Sequence, residues 1–186
     1  TVGAAAAPSI TPRDNLTSEL DRAAFVALPA VYELRTTVRI NALVTDGRRV
    51  AIGRDIVIRG TAHGVAPGRI VTALHLVRPS TERVLVELRA LGVPNVPPDV
   101  TGVRVLAQPV DRVTLRRAGT EALAVGCAAG DVPPPIDANV LNARSESDDL
   151  QLLAVDGDVM SPTLAVVHEQ TQNTPVAIIG YCGQAI

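Results

Sequence analysis

The chain has 186 residues, 47% of them apolar, but only one Phe, two Tyr and no Trp, so a core has to be assembled from Val, Leu, Ile and Ala. Net charge is −2 and all 17 basic residues are Arg, scattered apart from the pairs Arg48-Arg49 and Arg116-Arg117; without a basic cluster or interleaved aromatics, a nucleic-acid footprint is excluded. No apolar run reaches the roughly 18 residues that a membrane-spanning helix needs.

In chain order, residues 1–16 read as an unstructured lead of alanines and prolines. The small-residue start Thr1-Val2-Gly3-Ala4 fits removal of a signal peptide or of an upstream domain, or an arbitrary boundary; on the first of these a secreted or cell-envelope location is expected. Residues 17–29 read as a short helix: Thr17 or Ser18 suits the N-cap, acids follow in the first turn, and Pro29 stops it.

From residue 30 to residue 160 the pattern is β. Val31–Arg35 and Thr37–Val44 alternate apolar and polar residues, Asp46-Gly47 marks a tight hairpin, and Val50–Ile52 and Asp55–Ala62 follow. Pro67-Gly68 makes a turn before Ile70–Val77, read as one strand that carries His75, and Val84–Leu88 reads as another. A Pro-rich loop spans 92–101, then come strands Val103–Ala107 and Arg112–Arg116. After Val132-Pro133-Pro134-Pro135, the acidic stretch Ser145-Glu146-Ser147-Asp148-Asp149 leads into strand Leu150–Val155. Residues 161–186 hold the last apolar runs, Leu164–His168 and Val176–Ile179. Short strands at this spacing predict an all-β, antiparallel barrel or sandwich.

Few side chains invite chemistry. His75, with apolar neighbours on both sides, is read as held on a rigid element and half sheltered from water, as a general base requires; on spacing alone a core histidine with a satisfied hydrogen bond fits better. Asp149 precedes an apolar strand, a common place for an ordinary turn aspartate, and Asp148 competes beside it. Cys127 and Cys182 permit one disulfide, closing a loop of about 55 residues and contributing roughly 3–4 kcal/mol in the entropic model, or are two unrelated thiols. His63, His75 and His168 show no metal-ligand spacing with each other or with the cysteines. No phosphate loop or dinucleotide fingerprint occurs, so neither metal nor cofactor is expected.

Gly60-Thr61-Ala62, the Pro67-Gly68 turn and Arg69-Ile70-Val71-Thr72-Ala73-Leu74-His75 together resemble the histidine region of trypsin-like serine peptidases, in the form found in bacterial HtrA-like and related secreted branches. Asp149-Leu150-Gln151-Leu152-Leu153-Ala154-Val155 is similar to the family's aspartate motif, in the family's His-then-Asp order, and Val176–Gly183 is similar to the strand that opens its second barrel. The resemblance covers roughly residues 30–186. It implies an antiparallel six-stranded barrel with the beginning of a second, His75 as general base, and Asp149 as the acceptor that orients its ring.

The nucleophile departs from the family pattern. None of Ser9, Ser18, Ser80, Ser145, Ser147 and Ser161 stands in a Gly-x-Ser-Gly setting, whose glycine torsions build the oxyanion hole. Gly180-Tyr181-Cys182-Gly183 has the form of a viral cysteine-protease motif, but the 32 residues between Asp149 and Cys182 are too few for a second barrel, and a structural cysteine is the better reading. The expectation is therefore the N-terminal part of a serine endopeptidase, its serine outside this chain, inactive alone and acting on peptides once completed. The alternatives are a degenerate protease-like binding or scaffold domain, its unfinished second barrel covered by a partner chain, and an unrelated β-sandwich binding module.

Overall fold

The computed structural model describes residues 26–117, 134–155 and 163–164. A 3-10 turn (Leu28–Ala30) leads into β1 (Val31–Thr45), β2 (Arg48–Ala66) and β3 (Arg69–Ala73). Two helices follow, α1 (Leu74–Val77) and α2 (Thr81–Ala90), then β4 (Val103–Ala107), β5 (Arg112–Arg117), β6 (Ile136–Ser145) and β7 (Leu150–Val155).

Every strand pairing is antiparallel. The order β2-β3-β7-β6-β5-β1, with β1 pairing back onto β2, closes a six-stranded barrel, and β4 adds to β1 beyond the reach of β5. The all-β barrel expected from the short, alternating strands is thus observed, and a two-sheet sandwich is not. No helix among the described residues is long and apolar enough to cross a membrane.

Closure depends on length in β1 and β2. The expected pairs Val31–Arg35 with Thr37–Val44, and Val50–Ile52 with Asp55–Ala62, are each one continuous strand, of 15 and 19 residues. Asp46 and Gly47 supply the positive φ of 49° and 74° that joins them in a two-residue hairpin. Along β1, Tyr32, Leu34, Thr36, Val38 and Ile40 point inward in strict alternation, and a bulge after Ile40 changes the phase so that Leu43 is also buried.

The core falls into two clusters. One fills the barrel with Tyr32, Leu34, Ile70, Leu115 and Leu153 among others; the second packs α2, through Val84, Leu85 and Leu88, against Val38, Ile40, Ile56 and Ile58.

Two expectations are corrected. Ile70–Val77 is not one strand: β3 stops at Ala73 and His75 rides on the short helix α1. Its partner β7 begins at Leu150, opposite Ala73; the β3–β7 ladder ends one bond later, at Leu74 N–H to the Asp149 carbonyl, and Leu76 and Val77 reach the core from a helical turn instead. Val84–Leu88 is not a strand either but the buried face of α2. Ser80 caps that helix by accepting from the Arg83 N–H at 3.2 Å, Glu82 sits in its first turn and Arg89 in its last, all favourable to the helix dipole. The helix expected over 17–29, the apolar runs of 161–186 and both cysteines lie outside the described residues, save residues 26–29, which run into the 3-10 turn, and residues 163–164.

Candidate active site

The register of the barrel brings His75 and Asp149 together. Ala73 on β3 pairs with Leu150 on β7, so the next residue on one chain, Leu74, faces the preceding residue on the other, Asp149. The Leu74 N–H donates to the Asp149 carbonyl at 2.8 Å, extending the ladder one step past the strand ends. One residue on, the Asp149 carboxylate accepts twice from His75: Oδ1 from the backbone N–H at 3.0 Å, Oδ2 from ring Nδ1 at 2.5 Å. His75 and Asp149, 74 positions apart, are thereby joined by two hydrogen bonds, and the Leu74–Asp149 bond beside them adds a third to the junction.

Asp149 reaches this position through its backbone. Its φ of 52° lies in the left-handed region, which Asp tolerates better than most residues, and it ends the turn between β6 and β7. Asp148, the competing candidate, faces the turn itself, its Oδ2 accepting from the Ser145 hydroxyl at 2.6 Å. Thr72 braces the other side, its hydroxyl donating to the Thr61 carbonyl at 2.7 Å and tying β3 to β2 just before α1.

The electrostatics favour the ionised carboxylate. The hydrogen bond from the His75 ring, first of all, holds the Asp149 carboxyl below the usual aspartate range; desolvation opposes it, while the His75 backbone N–H, the imidazole's charge and the Leu74 backbone N–H add to the lowering. An ionised carboxylate only accepts, so Nδ1 carries the proton and Nε2 is left with a free lone pair whenever the ring is neutral. His75 is less sheltered than expected, its side chain 61% exposed, while that of Asp149 is 50% exposed. Among the described residues, one wall stands beside the ring.

That wall belongs to an open cleft of about 690 Å³, lined by Arg59, Thr61, His63, Val71 and Ala73 as well as His75 and Asp149. His63, weighed in the sequence only as a metal ligand, lines the same cleft, its pKa lowered by burial and its Nδ1 enclosed without a hydrogen-bond partner among the described residues. Ser80 also lines the cleft, where its hydroxyl caps α2.

Gly60 is the other residue whose part was not apparent. A Cβ built there would lie 2.8 Å from Leu76 Cδ2, 3.1 Å from its Cγ and closer still to Cδ1. Leu76, the residue after His75, thus occupies the space a side chain at position 60 would fill.

No family model, no curated protein and no solved structure matches this chain.

Proposed function

We propose that this chain is part of a trypsin-like serine endopeptidase, the barrel that carries the general base His75 and its orienting partner Asp149, with the nucleophilic serine supplied from outside residues 1–186. The observation that carries the reading is the contact of His75 Nδ1 with Asp149 Oδ2, reinforced by the same carboxylate on the His75 backbone N–H. Asp149 holds the tautomer and stabilises the imidazolium that forms; Nε2, turned away from Asp149, removes a proton from a serine hydroxyl and later passes it to the leaving amine. The exposure of the pair supports the same reading, because an acyl-transfer site needs a second wall bearing the nucleophile and two backbone N–H donors for the oxyanion.

A fluorophosphonate probe applied to the full gene product tests this. Labelling is expected on a serine outside residues 1–186, and His75→Ala is expected to cut its rate by a factor on the order of 10³ or more. Residues 1–186 alone are expected to remain unlabelled. A full-length product that does not react, or reacts equally well without His75, would overturn the proposal.

A second reading draws on a separate observation: none of the six serines of the chain lies in a Gly-x-Ser-Gly setting. In it the barrel is a protease-like binding or scaffold domain, and the outer edge of β4, unpaired among the described residues, is where an extended segment adds. An unreactive full-length product that still captures extended peptides would favour it.

A further inference from the structure

We infer that Gly60 is a positioning residue for His75, acting through Leu76. Leu76 packs against both core clusters, so its side chain is held by the barrel on one side and by the α2 layer on the other. Between them lies the gap at Gly60, an inward-facing position of β2 paired with Leu34, and three distal carbons of Leu76 approach that gap within 3.1 Å. A methyl at position 60 would collide with both branches of the isobutyl group and with its branch point. Because the branch point is crowded as well as both methyls, relief takes a rotation about Cα–Cβ or a shift of the backbone; Leu76 is half-buried, and its packing on both core clusters favours the backbone shift.

The displacement therefore passes to α1. This helix has four residues, its first N–H already committed to the Asp149 carbonyl and its first carbonyl to the Arg78 N–H. Raising Leu76 away from the sheet rotates the turn about its Leu74 end and carries His75, the adjacent residue, off the Asp149 carboxylate. A hydrogen bond of 2.5 Å is sensitive to shifts of a few tenths of an ångström. The empty space at Gly60 thus sets how far α1 stands above the sheet, and with it the His75–Asp149 contact.

The inference takes its functional meaning from the protease reading, but its test is geometric, so the two fail separately. The probe is the low-field proton resonance of the His75 ring N–H shared with Asp149, followed on residues 1–186 with thermal unfolding recorded alongside. Gly60→Ala is expected to remove that resonance or shift it upfield while the barrel stays folded. Adding Leu76→Ala, which clears the crowded space, is expected to restore it. A merely structural glycine predicts lost stability with the resonance unchanged in the folded fraction, and that result overturns the inference, as does a folded double variant without recovery. If Gly60→Ala alone does not fold, the double variant decides: a folded double variant that shows the resonance supports the inference, and one that is unfolded or folded without it overturns the inference.

Discussion

At the residue scale, Asp149 shows how one side chain is loaded with several tasks. Its left-handed backbone ends a turn, its carbonyl continues a ladder and its carboxylate holds a ring. Because its pKa is depressed in the folded state, its contribution to stability is present above the ordinary aspartate pKa and is lost as pH falls through the lower, folded value. With both side chains half exposed or more, that contribution is small, and the useful readout is local. A carbon-13 titration of the Asp149 carboxyl is expected to show a midpoint below that of an ordinary aspartate, rising back toward it in His75→Ala; an identical midpoint in both proteins would mean that the pair does not form in solution. Asp149→Asn should keep the turn yet present an amide to the ring, disfavouring the productive tautomer, and cut probe labelling of the full-length product on the order of 10⁴-fold. His75 and Asp149 were legible in the sequence as candidates through the resemblance of the runs around them to the trypsin-like histidine and aspartate motifs, since the apolar runs alone suit a core histidine and a turn aspartate. Gly60 was not, since its importance lies in what Leu76 does sixteen positions later, and no local pattern records a gap that another element fills.

At the scale of elements, period-two alternation made most of the strands legible, and it failed where β-branched residues lie on a helix. In Thr81–Ala90 the run Val84-Leu85-Val86 suggests a strand, but Val84, Leu85 and Leu88 share a helical face and Val86 is exposed. The deciding signal was the Ser80 cap with Glu82 behind it, and Ser80→Ala is expected to cost about 1 kcal/mol in chemical denaturation. Gln151 marks a subtler limit. It is 1% exposed, and opposite it the β6 register skips from Val140 to Arg144. Its amide nitrogen donates to the Leu141 carbonyl at 2.6 Å and to that of Ala143 at 3.2 Å, making good the ladder bonds that the bulge removes. Gln151→Leu preserves the apolar look of the strand but takes the donor from those part-buried carbonyls, at about 1 kcal/mol. Loss of that size, measured by denaturation, is the expected result; a neutral substitution would show that water replaces the amide.

At the scale of the whole molecule, the barrel class followed from many short strands bounded by Gly, Pro and Asp, while its closure did not. Closure requires β1 to pair β2 along one edge and both β5 and β4 along the other, a choice made by long-range register. The same two long strands make the two core clusters one body: β1 gives Tyr32 and Leu34 to the first and Val38, Ile40 and Leu43 to the second, and Leu76 and Val110 pack on both. Clusters sharing their backbone and two bridging side chains should unfold together. Leu88→Ala, in α2, and Leu153→Ala, in β7, each remove a fully buried side chain and should each cost about 2–5 kcal/mol. The informative comparison is between amide signals of α2 and of β7 followed through a denaturant titration of each variant. A single shared midpoint, lowered alike by either substitution, is expected. If Leu88→Ala instead melts α2 while β7 stays native, the α2 layer is a separate unit, and the Leu76 contact that links it to α1 and His75 is too weak to hold the ring in place.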